Sequence, residues 1–266
     1  MKHLIITLFT IVLFSACDDE NDDFQIDSYP MAVGNEWTYD RKMTFTSHES
    51  EKGDIAREMD TLRYTVRVRV EKDTIMDETM SVKKFKAREQ NSDTYSTEFL
   101  FEDYDGIKCY AYYPGGDLLA FVKNRPEVKL SSGIPFGGLL SIPKSTTNEP
   151  VYENPPTLNL KLPLSNNIRW TYRHPSEDFS VQIDKRVIKA ESIDVPAGTF
   201  ECFKIRYEYS NHPGFEDVEV YDWIAREGLV KRQISTDSVV FINQQGDTTG
   251  AGSSTNTYAL QSFTLN

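Results

Sequence analysis

The 266-residue chain sets 29 Lys and Arg against 41 Asp and Glu, for a formal charge of −12 and a pI near 4.9. That balance argues against polyanionic partners such as nucleic acid, which need clustered Lys and Arg. Once an N-terminal signal is removed, about 250 residues remain, enough for one large all-β domain or two small ones.

The signal comes first in the chain. Lys2 and His3 precede an apolar run from Leu4 to Phe14, and Ser15 and Ala16 lead into Cys17. A basic start, a short apolar core and small residues before a cut make a secretory signal, since the run falls short of the about 20 residues a membrane span needs. Cys17 at the cut resembles the lipobox of bacterial lipoproteins, in which the thiol is acylated and the chain cleaved just before it. Two or three acyl chains then anchor the protein permanently, whereas one alone binds only reversibly. Asp18, Asp19, Glu20, Asn21, Asp22 and Asp23 follow. Such a run reads as a solvated tether, and it also resembles the surface-export signal of Bacteroidetes-type lipoproteins. The expected location is the bacterial outer membrane, on its periplasmic face or at the cell surface.

Period-2 alternation then dominates. Tyr64, Val66, Val68 and Val70 share one face of a strand whose other face carries Thr65, Arg67 and Arg69, and Phe203, Ile205, Tyr207 and Tyr209 oppose Lys204, Arg206 and Glu208 in the same way. Further strands are expected at 37–45, 82–88, 95–101, 108–112, 118–122, 168–173, 179–187, 218–224, 229–234, 238–243 and 258–265. Residues 47–59 read as a polar loop and no helix is expected in the mature chain. Gly34-Asn35 supplies the bend before the first strand. Val195-Pro196-Ala197-Gly198 has the Pro and Gly placement of a type I turn.

The chain also repeats itself. Residues 30–39 align without gaps to 163–172, pairing Trp37-Thr38-Tyr39 with Trp170-Thr171-Tyr172, and Phe85-Lys86-Ala87-Arg88 and Gly106-Ile107-Lys108 match Phe203-Lys204-Ile205-Arg206 and Gly228-Leu229-Val230 in order. These matches suggest two similar β-meanders, joined into one large curved antiparallel sheet, an open half-barrel. The organisation read from the sequence is a signal at 1–16, an acidic tether at 17–27, a first β half at 28–129, a Gly/Pro-rich apolar connecting loop at 130–161 and a second β half at 162–266. Phe136, Leu139, Leu140 and Ile142 in that loop must bury themselves. They cover the sheet's edge or form a lid that contacts an apolar ligand.

Little chemistry is visible. His48, His174 and His212 stand far apart in no metal-ligand spacing, no nucleophile elbow or phosphate loop appears, and neither metal nor cofactor is expected. Glu102, Asp103 and Asp105 beside Tyr104, and Glu216, Asp217 and Asp222 around Tyr221, read as solvated turns at strand ends. Arg67 and Arg69 read as a water-facing strand face. Tyr110, Tyr112 and Tyr113 read as core residues, with stacking on sugar rings as the alternative. An oxidising compartment permits a Cys109–Cys202 disulfide, and two packed free thiols are the alternative.

The stretch from Tyr29 to Tyr39 resembles a family of uncharacterised bacterial lipoproteins that open with Tyr-Pro-Leu and then Gly-Asn-x-Trp-x-Tyr; Met31 stands here where Leu is usual. Residues 194–205 and 221–231 strengthen the likeness. The resemblance implies an open, strongly curved antiparallel sheet, loosely similar to the half-barrel of periplasmic lipoprotein carriers, and carries no established activity. The sequence thus leads to a non-enzymatic, lipid-anchored binding protein, expected to be monomeric. It would take an apolar or amphipathic ligand in a concave sheet or, alternatively, a glycan or protein through exposed aromatics.

Overall fold

A computed structural model describes residues 24–48, 56–90, 95–113, 149–175, 181–210, 217–242 and 248–266. They form twelve strands: β1 (Glu36–His48), β2 (Ala56–Met76), β3 (Met80–Glu89), β4 (Tyr95–Asp103), β5 (Gly106–Tyr113), β6 (Val151–Lys161), β7 (Arg169–Arg173), β8 (Gln182–Val195), β9 (Gly198–Ser210), β10 (Val218–Ala225), β11 (Gly228–Ile242) and β12 (Thr248–Thr264). All join one antiparallel sheet in the order β6-β5-β4-β3-β2-β1-β12-β11-β10-β9-β8-β7. This is two six-stranded meanders joined through β1 and β12, the joined version of the expected half-barrel. The matched pairs sit on strands of equal rank: Trp37 on β1 and Trp170 on β7, Phe85 on β3 and Phe203 on β9, Gly106 opening β5 and Gly228 opening β11.

Alternation decides which side chains point inward. On β2, Val66, Val68 and Val70 are buried and Arg67 and Arg69 exposed; on β9, Phe203, Ile205 and Tyr207 are buried and Arg206 exposed. Each such large apolar side chain, fully buried, contributes about 1.5–3 kcal/mol. The Gly34 bend and the Pro196-Ala197 turn stand where the sequence puts them, with φ of +95° at Gly34 and +133° at Gly198.

Four stretches differ from expectation. Of the polar loop expected at 47–59, residues 47–48 end β1 and 56–59 open β2. Residues 151–161, read as the end of the connecting loop, form β6. Pro155 and Pro156 lie on this outermost strand, where a missing N–H breaks no inner ladder. Residues 238–242 continue β11 instead of starting a new strand. β12 begins at Thr248, ten residues before its apolar part. The Gly, Ser and Thr of its first half show no alternation, but β1 and β11 hydrogen-bond it from both sides, so backbone pairing sets its conformation.

β6 and β7 lie at opposite ends of the strand order yet are consecutive in the chain, and the curl of the sheet brings them together. Among the described residues no backbone ladder joins them. Side chains cross the seam instead: Trp170 Nε1 donates to Leu158 O at 3.0 Å, Lys185 Nζ donates to Asn159 O at 2.7 Å, and Arg173 pairs with Glu153. Phe24 and Ile26, inside the stretch expected to be tether (17–27), and Tyr29 and Met31 after it pack into the main core. They are pinned there by paired backbone bonds between Ile26 and Leu164 and by stacking of Phe24 on Phe203 at 4.7 Å.

Candidate functional site

Among the described residues the interior is layered. One apolar layer holds Trp37, Tyr39, Val187, Ile224, Val230 and Leu260; another holds Tyr172, Ile183, Val220 and Ile234. Three strands cross both layers with a charged residue between: Ile183, Lys185 and Val187 on β8, Val220, Asp222 and Ile224 on β10, and Val230, Arg232 and Ile234 on β11.

Arg232 and Asp222 form a two-pronged ion pair, with Nε to Oδ1 at 2.6 Å and Nη2 to Oδ2 at 2.7 Å. Tyr207 OH donates to Asp222 Oδ2 at 2.7 Å. Burial alone would lower the Arg232 pKa, but Asp222 and Tyr207 outweigh it and hold the guanidinium charged well above its ordinary range. Burial, reinforced by Asp222, raises the Tyr207 pKa, so its phenol stays neutral and donates. Further round the barrel, Arg41 donates to Asn256 Oδ1 at 3.2 Å, pairs with Glu89 at 3.8 Å and lies over the rings of Tyr64 and Tyr258 at 5.5 and 5.4 Å. At the seam, burial raises the Glu153 carboxyl while Arg173 opposes it, and pushes Tyr112 up to about 12.

Lys185 differs from the three arginines. Its ammonium makes no carboxylate contact within 4 Å among the described residues; it rests on Asn159 O and on the faces of Tyr172 and Tyr207, 4.3 and 4.5 Å from the ring centroids. Burial pushes its pKa down to about 7; Asp222 and Glu98 oppose that shift and Arg232 adds to it. Beside it, Asn159 Nδ2 is buried with no hydrogen-bond acceptor. The amine can therefore exchange a proton near neutrality, but at 4% exposure it is closed to a reactant.

Along the free side of β8 runs a groove of about 450 Å³, lined by Ile188, Lys189, Ala190, Glu191 and Ser192, with Asn166 and Asn167 and with Glu201 of β9. Glu191 accepts from Trp223 Nε1 and Lys189 Nζ, both at 2.7 Å, which holds its carboxyl below the ordinary range although burial works the other way. Trp223 in turn lies between the ammonium groups of Lys204 and Lys231, at 4.9 and 4.7 Å.

Of the residues singled out from sequence, Cys17, Phe136, Leu139, Leu140 and Ile142 lie outside the described residues, as does the strand expected at 118–122. Cys109 on β5 and Cys202 on β9 are buried free thiols, not a disulfide. Their strands are not neighbours in the sheet, and each sulfur instead faces a carbonyl nearby in its own strand, that of Ala111 or Phe200. The Tyr104 cluster is the expected turn: Tyr104 is 90% exposed, and Lys108 bridges Asp103 and Asp105 at 2.9 and 3.0 Å. Asp222 is not in a solvated turn; it is 4% exposed inside β10, because Arg232 on the adjoining strand compensates its charge. Of the three tyrosines read as core, Tyr112 is buried and Tyr110 and Tyr113 are half-buried. Lys185, Arg232 and Arg41 were not singled out at all.

Residues 147–236 match the model of the DUF3108-like family. That stretch is about a third of the chain, from β6 into β11. Among solved structures, a candidate lipoprotein from Parabacteroides distasonis ATCC 8503 aligns at 13% identity and a TM-score of 0.33, over 90% of this chain and 99% of its own. A candidate exported protein with a YmcC-like fold from Bacteroides fragilis NCTC 9343 aligns at 10% identity and a TM-score of 0.30, with the same coverage. Neither likeness is close enough to extend the reading of this chain. None of the curated proteins matches it.

Proposed function

We propose that this chain is a non-enzymatic lipoprotein, anchored through Cys17 in the bacterial outer membrane, that binds a partner on the outside of its barrel. The observation that carries this reading is the contrast between the buried large side chains of the concave face and an open flank. Trp37, Tyr39, Phe203, Tyr258 and Arg232 occupy the concave side at 0–1% exposure, whereas the polar groove along β8 stands open. The anchor also fits. Phe24 lies seven positions after Cys17, a reach of at most about 25 Å, and Phe24 is packed on Phe203, so that part of the core is held close to the membrane. The test has two arms. Cys17→Ala should release the protein from the membrane fraction, and continued partitioning would sink the anchor. Charge reversal at Glu201 should weaken partner binding while leaving the fold intact; unchanged binding would move the site elsewhere.

A second reading, an amphipathic ligand with an acidic headgroup inside the barrel, draws on one observation. Lys185 and Asn159 hold buried donors in excess of their protein acceptors at the seam. Solvent extraction of the purified protein followed by lipid analysis separates the two readings.

A further inference from the structure

The flank of β8 has the form of an unfinished sheet. β7 pairs with β8 only over Ile183 to Arg186, and Val187 N–H is taken by Ile168 O at 2.9 Å. β8 then runs on to Val195, paired to β9 along its other side throughout. Among the described residues no strand pairs with the outer edge of 188–192, while beyond it the hairpin tip packs on the core and Ala197 N–H donates to Leu260 O at 3.0 Å. In an antiparallel strand alternate residues turn N–H and C=O together toward one neighbour, so this edge offers every second residue's donor and acceptor to an absent strand. Exposed edges are commonly blocked by proline. Pro155 and Pro156 do this on β6; 188–195 contains no proline, and its one lysine, Lys189 at the Val187/Lys189 bulge, is drawn to Glu191. The groove lies along this same edge, with Asn166 and Asn167 as its far wall.

We infer that β8 receives an extended peptide segment of a partner protein as a thirteenth strand, paired through the main chain at 188–192 and presenting a basic side chain to Glu201. Strand addition of this kind draws affinity from backbone bonds and selectivity from side chains along the groove. The five residues 188–192 span about 17 Å, room for an equally long stretch of partner. The charge preference follows from the lining. Glu191 is already compensated by Lys189 and Trp223, while Glu201 is exposed and has no ion pair among the described residues. A second copy is a poor occupant by the same measure, since each chain carries a formal charge of −12.

This inference rests on the outer-surface reading, and the experiment separates the two. The full-length lipoprotein in detergent is titrated with a fluorescent eight-residue peptide of alternating valine and threonine carrying one lysine. The same peptide N-methylated at alternate amides, a glutamate version and a neutral oligosaccharide serve as comparisons. Strand addition predicts binding of the lysine peptide about tenfold tighter than the N-methylated one, about fivefold tighter than the glutamate one, and slowed amide exchange confined to 188–195. Glu201→Lys should reverse the preference between lysine and glutamate peptides. Ser192→Pro should abolish binding of both; if that variant fails to fold, Glu201→Lys and the N-methylated peptide still decide. Equal binding of the N-methylated peptide, or protection elsewhere, overturns the inference. A dimer whose formation the peptide competes away overturns it in favour of a second copy. Oligosaccharide binding that Glu201→Lys removes while β8 exchange stays unchanged overturns strand addition and leaves outer-surface binding standing.

Discussion

Replacing Lys185 with methionine should make the protein more stable at pH 6 and remove that advantage by pH 9.5. The unfolded lysine keeps its proton up to about pH 10.5, and the folded one, buried between Tyr172 and Tyr207, only up to about 7. Between those values unfolding takes up a proton, so the penalty of burying the amine is complete below pH 7 and fades as pH rises toward 10.5. From those two values the penalty is about 5 kcal/mol at pH 6 and about 1 kcal/mol at pH 9.5. Methionine fills similar space but leaves Asn159 O without its donor, a cost of about 1–3 kcal/mol that does not vary with pH. The variant should therefore gain about 2–4 kcal/mol at pH 6, and its advantage should shrink by about 3 kcal/mol by pH 9.5. Urea unfolding of both proteins at matched pH values, followed by tryptophan fluorescence, reads the difference directly, and groups common to both cancel. A difference that stays flat within about 1 kcal/mol across that range would refute the reasoning, because it would mean the lysine stays charged throughout.

Other outcomes follow from single contacts. Asp222→Asn should cost about 3–5 kcal/mol in the same assay, since it strands the Arg232 charge at 1% exposure; a loss below about 1 kcal/mol would mean water reaches the guanidinium. Gly106→Ala should destabilise by at least about 2 kcal/mol, because φ is +136° there and a Cβ would lie 2.0 Å from Leu160 O on β6. Near-native stability would show that the hairpin can shift. Cys109 and Cys202 should react with a thiol reagent only after unfolding, because burial pushes both thiols up, Cys202 to about 12. Rapid labelling of either in the native protein would contradict its placement.

The fold was legible wherever one face of a strand meets water. Arg67 and Arg69 outside, with Val66 and Val68 inside, leave no other arrangement for β2, and β9 reads the same way. Elements not defined by apolar alternation stayed hidden. β6 carries two prolines that signal a loop, and an edge position makes them harmless. The first half of β12 is Gly, Ser and Thr whose pairing partners lie on strands more than a hundred residues away or across a turn. The interior charges were invisible for a related reason. A lysine or aspartate in an alternating strand is assigned to the water face, and only the neighbouring strand can change that. Asp222 is inside because Arg232 lies opposite it in the β10–β11 pairing, a fact of register that no local pattern encodes. The open edge of β8 depends on β7 being only five residues long, which sequence alternation bounds loosely.

The central claim, a barrel that binds on its outside, is tested most directly by the intact mass of the lipoprotein after mild extraction from membranes. The account predicts the polypeptide from Cys17 onward plus its covalent lipid and nothing else. A further apolar molecule retained non-covalently, and displaced when the seam is opened by denaturant, would contradict it and put the ligand inside.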